Sequence, residues 1–592
     1  MLLTRSRYFR IRREGTLLLL VFATGALVAL LAVVMTGAST TLHEAIQRAS
    51  DRALACDGRG TTTWQCGFTS FVSFVGARAV LIALAAMLVI WQPSAASSGM
   101  PHIKSHVNGT DVPGYLAMRP LVATVLGTIC VSATGLPVGW YGPMMHIGAM
   151  VATQLVNLAA RQCGERLGLR APLKQREAIS MGAAAGLAAA VQAPHGGVLY
   201  VCEELGMHWS RHATWRVFLC CTTVVATVRF FDGTLGCADD AADGRGIACR
   251  FFEQAVPGNH IGGGPAELSD RMRTDDVQWA LLMAMAGGGL GAGFNLSVQA
   301  LKRLCQRYVG SAKSTRVFVH ALVLSTLMFT IAFWMPWAGD ACKLCPGGVP
   351  CAGQANTSTA GAPRRERFRC AADQYDELAT LLHATPASIL GHLYGRDEAV
   401  HFTPSVLARY MLVYGAFAPA MLCAGFPSGA LLPCMIIGAA GGRLLGEGLE
   451  LADGRPGLFA LIGSASMLGG VNRMPLTLAL VMLEVAQDFE VLPALILALV
   501  VSSVVGDLVC PSLDDILMHE NKLPYLPEAP PTKFWPLAAR DVMSTRGAPR
   551  SCAARQRICT VNHAHAHAAH AHARASSLLL SPRCLTFATG SV

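Results

Sequence analysis

The sequence predicts an all-α, polytopic membrane protein, on three observations. Only 14% of its 592 residues are charged against 53% that are apolar, whereas a soluble chain carries about a quarter charged residues. Runs nearly free of charge recur, among them Leu17–Val34, Ala79–Trp91, Ala280–Phe294, Val317–Trp334 and Leu492–Val505. Each approaches or reaches the length that crosses a bilayer, and roughly ten or more such segments are expected. The basic residues cluster at Arg5–Arg13, Arg161–Arg176 and Lys302–Arg316, between apolar runs. That is the positive-inside pattern, which makes these stretches cytoplasmic. It accounts for the net charge of +10 without nucleic acid as a partner.

Residues 1–13 read as a cytoplasmic basic tail, and 14–531 as the transmembrane domain. The first apolar run lacks a small-residue cleavage site and reads as a retained helix rather than a signal peptide. Cys56 and Cys66 follow it, and Cys342, Cys345, Cys351 and Cys370 lie in a polar insert, 339–378, with the sequon Asn356-Thr357-Ser358. With a cytoplasmic N-terminus the first loop is lumenal or extracellular, and the insert fits that side too. Disulfides are then expected, with zinc at Cys342-x-x-Cys345 as the alternative. The remaining cysteines, scattered singly, read as small core residues.

Three Gly/Pro turns precede apolar runs. They are "SSGMPHIK" (Ser97–Lys104), "GWYGPMMHIGAM" (Gly139–Met150) and the "PSGALLPC" turn that carries Ala430 and Leu431. Pro143–Ala149 and Pro433–Ala439 both read P-x-M-x-I-G-A, a faint internal repeat. Gly/Pro-interrupted segments in corresponding places of two halves point to a transporter's binding site. Glycine lets backbone approach a ligand, and the free amides and dipole of a helix start attract anions. Each turn alone also fits a kink or a re-entrant turn. Ser98 adds a hydroxyl. Nothing here offers the carboxylate array of a cation site, a nucleotide loop or a catalytic triad, and no metal-site residue is assigned, so an enzyme is not expected.

Glu203 and Glu204 follow the apolar run "GGVLYVC". Intramembrane carboxylates are functional candidates by default; the alternative is a helix end at the cytoplasmic interface. Glu484 and Arg473, flanking "MPLTLALVML", read as structural partners, and Asp507 as a helix-end residue. Residues 532–545 resemble the opening of a folded module. The low-complexity "HAHAHAAHAHARA" tail, 546–592, leaves too little chain to complete one. Its histidines could bind metal, though compositional drift or a gene-model error accounts for them as well.

These segments together resemble the CLC family of chloride channels and proton-coupled chloride exchangers, most closely its endosomal–lysosomal branch. "SSGMPHIKSHVNG" is similar to the family's GSGIP motif. "VGWYGPMMHIGAM" is similar to GKEGP, and "PSGALLPCMIIGAAGGRLLG" to GxFxP. "GAAAGLAAAVQAPHGGVLYVCEE", "TWRVF", "LGGVNRMPLTLALVMLE", "VVGDLV" and "ARDVMST" extend the likeness from about Gly15 to Thr545. The resemblance implies a CLC-type inverted repeat with broken and re-entrant helices. It implies a homodimer in membrane lipid, with chloride as substrate, no cofactor, and one anion pathway per subunit. By position, Ser98 is the anion-binding serine. The amides of Ala430 and Leu431 face the central anion, Gly142 and Pro143 flank the outer site, and Glu204 is the proton-transfer glutamate of exchangers.

Departures from the family pattern shape the expected function. Tyr141 stands where the gating glutamate of GKEGP would be, and a phenol with a pKa near 10 does not shuttle protons readily at neutral pH. Asp514 falls, within one residue, on the family's anion-coordinating tyrosine. The site thus keeps one carboxylate and one phenol on exchanged positions, and Asp514 would partly replace the lost gate. Leu431 replaces the phenylalanine of GxFxP, and Ser97 replaces the first glycine of GSGIP. The CBS region is truncated, so nucleotide binding is not expected. Ser98, rather than proline, favours chloride over nitrate. The expected function is channel-like chloride transport without proton coupling. A chloride/proton antiporter and a transport-inactive structural subunit are the alternatives. An endosomal, lysosomal or vacuolar membrane is expected, with the plasma membrane also open.

Overall fold

The computed structural model describes residues 2–524 except 55–62, 111, 113, 164–171, 206–209, 235–273, 311–314, 339–341, 345–364, 371–373, 396–401, 449–455 and 487–488. Asn356, the 532–545 segment and the histidine tail lie outside the described residues. The first half comprises α1 (Leu2–Leu54), α2 (Thr63–Trp91), α3 (Met100–Val107), α4 (Met118–Ser132), α5 (Tyr141–Cys163), α6 (Pro172–Val191), α7 (Pro194–Tyr200) and α8 (Arg211–Thr234). The second comprises α9 (Thr274–Tyr308), α10 (Thr315–Trp334), α11 (Glu377–His383), α12 (Pro386–Tyr394), α13 (Pro404–Leu422), α14 (Leu431–Gly448), α15 (Pro456–Asn472), α16 (Pro475–Ala486), α17 (Leu492–Asp507) and α18 (Leu513–Glu520). Among the described residues, 6 helices are long and apolar enough to cross a membrane, fewer than the runs suggested. Other apolar runs form shorter helices, such as α4, α16 and α17. α1 is integral to the bundle: Val21, Val28, Ala29, Ala32 and Met35 sit in the main core.

The repeat has a packing reason. Gly148 of the first motif lies on α6, where an added Cβ would stand 2.1 Å from the Gly182 carbonyl oxygen. Gly438, its counterpart, lies on α15 with a Cβ 2.4 Å from the Gly463 oxygen. In both halves the motif's glycine is therefore the point where two helices touch backbone to backbone, as small residues allow in membranes. The repeat also extends upstream of the seven residues read from sequence. Gly135-Leu-Pro-Val-Gly139 and Gly425-Phe-Pro-Ser-Gly429 share G-x-P-x-G, and Gly135 and Gly425 both hold left-handed φ, at 72° and 87°.

The described end of the 339–378 insert packs as a cap rather than lying open. A hairpin of β1 (Cys342–Leu344) and β2 (Gln374–Asp376) leads into α11, with Asp376 accepting from the Ala379 amide at 2.9 Å. Arg365, Glu366, Asp376 and Glu377 are all buried. Cys342 is disulfide-bonded to Cys370. That bond takes Cys342 away from the zinc alternative. Cys66 is disulfide-bonded as well.

Candidate anion site

The two repeated turns meet at the centre of the molecule. Gly139 and Gly429 exchange both backbone hydrogen bonds, each N–H donating to the other's carbonyl at 2.8 Å. This antiparallel pair joins the halves where neither turn can pair within its own half. The first intrahelical bonds beyond it are Met144 N–H to Trp140 O at 2.9 Å and Cys434 N–H to Ala430 O at 3.0 Å. Helices α5 and α14 thus begin two residues before Pro143 and Pro433, not at the prolines. Each proline sits third in its helix, where it has no amide to leave unpaired. The amides of Tyr141 and Gly142, and of Leu431 and Leu432, are left without an intrahelical acceptor.

Ser98, two residues before the start of α3, reaches the same place. A Cβ on Gly142 would stand 2.7 Å from the Ser98 Cβ and 3.5 Å from the Gly429 Cα, so serine, first turn and second turn are in contact. Gly99, at φ 81°, starts α3 against His146, and its own added Cβ would stand 2.5 Å from the His146 Cβ. His146 is fully buried, and its ring stacks on Tyr115, which stacks in turn on His102, each at 4.3 Å between centroids. Nothing in the sequence reading singled out these three rings. Tyr141 is only 4% exposed and packs within the main core. Its neighbours include the Trp140 ring, at 5.9 Å, and the Tyr394 phenol of α12, which donates to Ser464 Oγ at 2.8 Å.

A second group gathers at the far end of α3. Lys104 is bonded to Glu204 and, at 3.2 Å, to Asp515. Asp514, beside Asp515 in the first turn of α18, lies within electrostatic reach of Lys104, Glu204 and Tyr200. Ser512 caps that helix by accepting from the Asp515 amide at 3.2 Å. Glu204 and Asp514, far apart in sequence, therefore belong to one cluster, with Lys104 and Tyr200 as members the sequence reading missed. An apolar run closed by two acids hides which acid faces which neighbour.

The other carboxylates have different partners from those expected. Glu484 does not pair with Arg473. It accepts from the amides of His195 and Gly196, both at 3.1 Å, and from His195 Nδ1 at 2.6 Å, capping the start of α7. Glu203 caps the start of α16, accepting from the amides of Leu476 (3.3 Å) and Thr477 (2.8 Å) and from Thr477 Oγ1 (2.7 Å). Arg473 pairs instead with Asp507, the last residue of α17, at 2.8 Å.

A helical membrane bundle whose halves repeat one broken-helix turn, with the turns paired at the centre, defines an inverted-repeat transport fold. Residues 79–507 match the family model described as voltage gated chloride channel. The protein belongs to this family, the CLC proteins. It is 29% identical over 508 residues to chloride channel protein C of Dictyostelium discoideum, covering 83% of this chain and 64% of that protein. It is 29% identical over 492 residues to chloride channel protein CLC-c of Arabidopsis thaliana (81% and 60%). Against H(+)/Cl(-) exchange transporter 7 of Homo sapiens it is 28% identical over 478 residues (78% and 55%). The chain thus spans less than two thirds of the length of these relatives. Among solved structures it is similar to a eukaryotic CLC transporter, with TM-score 0.60 and 20% identity over 88% of this chain and 76% of that one. It is also similar to a slow cyanobacterial Cl-/H+ antiporter, with TM-score 0.61 and 15% identity over 86% and 98%. At such low identity these two establish the fold alone.

Proposed function

We propose that this protein moves chloride across a membrane in a channel-like way, without proton coupling. The observation that carries the reading is the meeting of Ser98, Gly142 and Gly429. There the turn that opens α5 touches the turn that opens α14 and a serine, an arrangement suited to an anion without a counter-charge. Ser98, Gly142, Pro143, Ala430 and Leu431 are the anion-binding residues. Tyr141 stands at the gate position in place of a carboxylate and Asp514 at the central tyrosine position, so the acid that would carry a proton through the outer gate is lacking. The subunits pair as homodimers in an endosomal, lysosomal or vacuolar membrane, and the protein transports rather than catalyses.

Chloride/proton exchange is the second reading, favoured by retention of Glu204 and by relatives named as H(+)/Cl(-) exchangers. Purified protein in chloride-loaded liposomes separates the two. Chloride efflux without proton movement supports the channel-like reading. Proton uptake in fixed ratio to chloride overturns it, and no flux at all favours a transport-inactive subunit.

A further inference from the structure

Glu204 is not a solitary acid: its partner Lys104 is itself almost fully buried, with a side chain 9% exposed, and Glu204 is 12% exposed. Lys104 lies in α3, about 6 Å along the helix from its first residue Met100, which follows Ser98 and Gly99. Among the described residues, the titratable groups that face this pair are Asp514 and Asp515 of α18 and Tyr200 of α7. Among the described residues three carboxylates, Glu204, Asp514 and Asp515, thus gather around this lysine in the helix that follows Ser98. A field of that sign repels an anion, and a nearby cation offsets it. A buried charge also persists only where it is paired.

We propose that Lys104 is a positioning residue that sets the charge of this end of the anion pathway. Glu204 serves as its counter-ion rather than as a free proton acceptor. The inference rests on the transport reading above. It assigns Glu204 a structural and electrostatic role that needs no proton to pass through it.

The test is chloride current through the full-length protein in planar bilayers, measured in both directions. Lys104→Met should cut current for anions entering from the Lys104 side by about tenfold, with a smaller effect in the other direction. The loss should shrink at high salt, since screening reaches partly exposed charges. Lys104→Met/Glu204→Gln should recover most of the lost current, and Lys104→Arg should keep it. A loss equal in both directions would mean a merely structural role. A loss that Glu204→Gln does not relieve would mean direct anion contact by Lys104; either result overturns the proposal. Should Lys104→Met fail to assemble, Glu204→Gln alone decides. Current entering from that side should rise, and a fall would show that Glu204 is needed in its own right. Absence of current from the unaltered protein would instead sink the transport reading.

Discussion

Two pairs of helix starts in this molecule obey the same electrostatics and end in opposite states. Helices α7 and α16 begin in matching connections: Gln192-Ala193-Pro194 and Arg473-Met474-Pro475, with the first residue of each in the left-handed region, at φ 55° and 62°. Nine residues after each proline stands a glutamate, and each reaches across to the other half. Glu203 caps α16, and Glu484 caps α7. These positive helix ends are filled by the protein's own carboxylates. Helices α5 and α14 also begin in matching turns, but there the turns pair only through the backbone of Gly139 and Gly429. Among the described residues no carboxylate of the matching half accepts from their first amides. A duplicated fold thus uses one pair of dipole ends to lock its halves together, and the other pair is the one proposed above for the anion.

The largest effect is expected at the uncapped pair. Gly142→Ala places a methyl group 2.7 Å from the Ser98 Cβ, forcing the serine and the turn apart. Chloride flux in liposomes should fall by about tenfold or more, because such sites tolerate little displacement. The variant's elution profile should stay that of the parent. Flux unchanged by this substitution would break the assignment of the turn to the anion path.

At the capped pair the expected loss is of stability. Glu203→Ala leaves the Leu476 and Thr477 amides without their acceptor, and Glu484→Ala does the same to His195 and Gly196. Each should cost about 1–3 kcal/mol, since the amide of buried Thr477 or of buried Gly196 is then left unpaired, read as a lower melting temperature in detergent. Equal melting curves for parent and variants would show that water caps these ends as well as glutamate does.

Asp514→Asn tests the swap of carboxylate and phenol. Removing its charge, which lies within reach of Lys104 and Glu204, should change both chloride flux and its pH dependence, by about severalfold at most through screened distance. An unaltered flux–pH curve would end the idea that Asp514 partly replaces the gate.

Much of this was legible in the sequence where backbone constraints dictate residue type. The P-x-M-x-I-G-A repeat announced Gly148 and Gly438, because only glycine fits where helices touch at backbone distance. Composition announced the membrane, since uncharged length has few other uses. Among the described residues 6 helices meet the length and apolarity of a span; an apolar run in the sequence does not show how long a helix it will form. The partners of Glu203, Glu204 and Glu484 were illegible for a related reason. Each pairs with a residue at least a hundred positions away, and no local pattern encodes that distance. Likewise the His102–Tyr115–His146 stack joins α3, α5 and the turn before α4, none of which shows a ring periodicity of its own.

The smallest expected effects sharpen the comparison from within the capped pair. Each glutamate takes two amides and one side-chain donor, but the side chains differ in setting. Thr477 is 1% exposed and donates to Glu203 at 2.7 Å, while the His195 side chain is 60% exposed and meets Glu484 at 2.6 Å. A buried hydroxyl lost to Thr477→Val should cost about 1 kcal/mol. His195→Ala should cost about 0.5 kcal/mol or less, since water screens an exposed pair. In both variants the amides keep their carboxylate, so both should lose less than Glu203→Ala or Glu484→Ala. If His195→Ala instead matched Glu484→Ala in melting temperature, the cap at α7 would be a side-chain ion pair rather than a helix-end bond. The symmetry between the two locks would then be one of sequence spacing only.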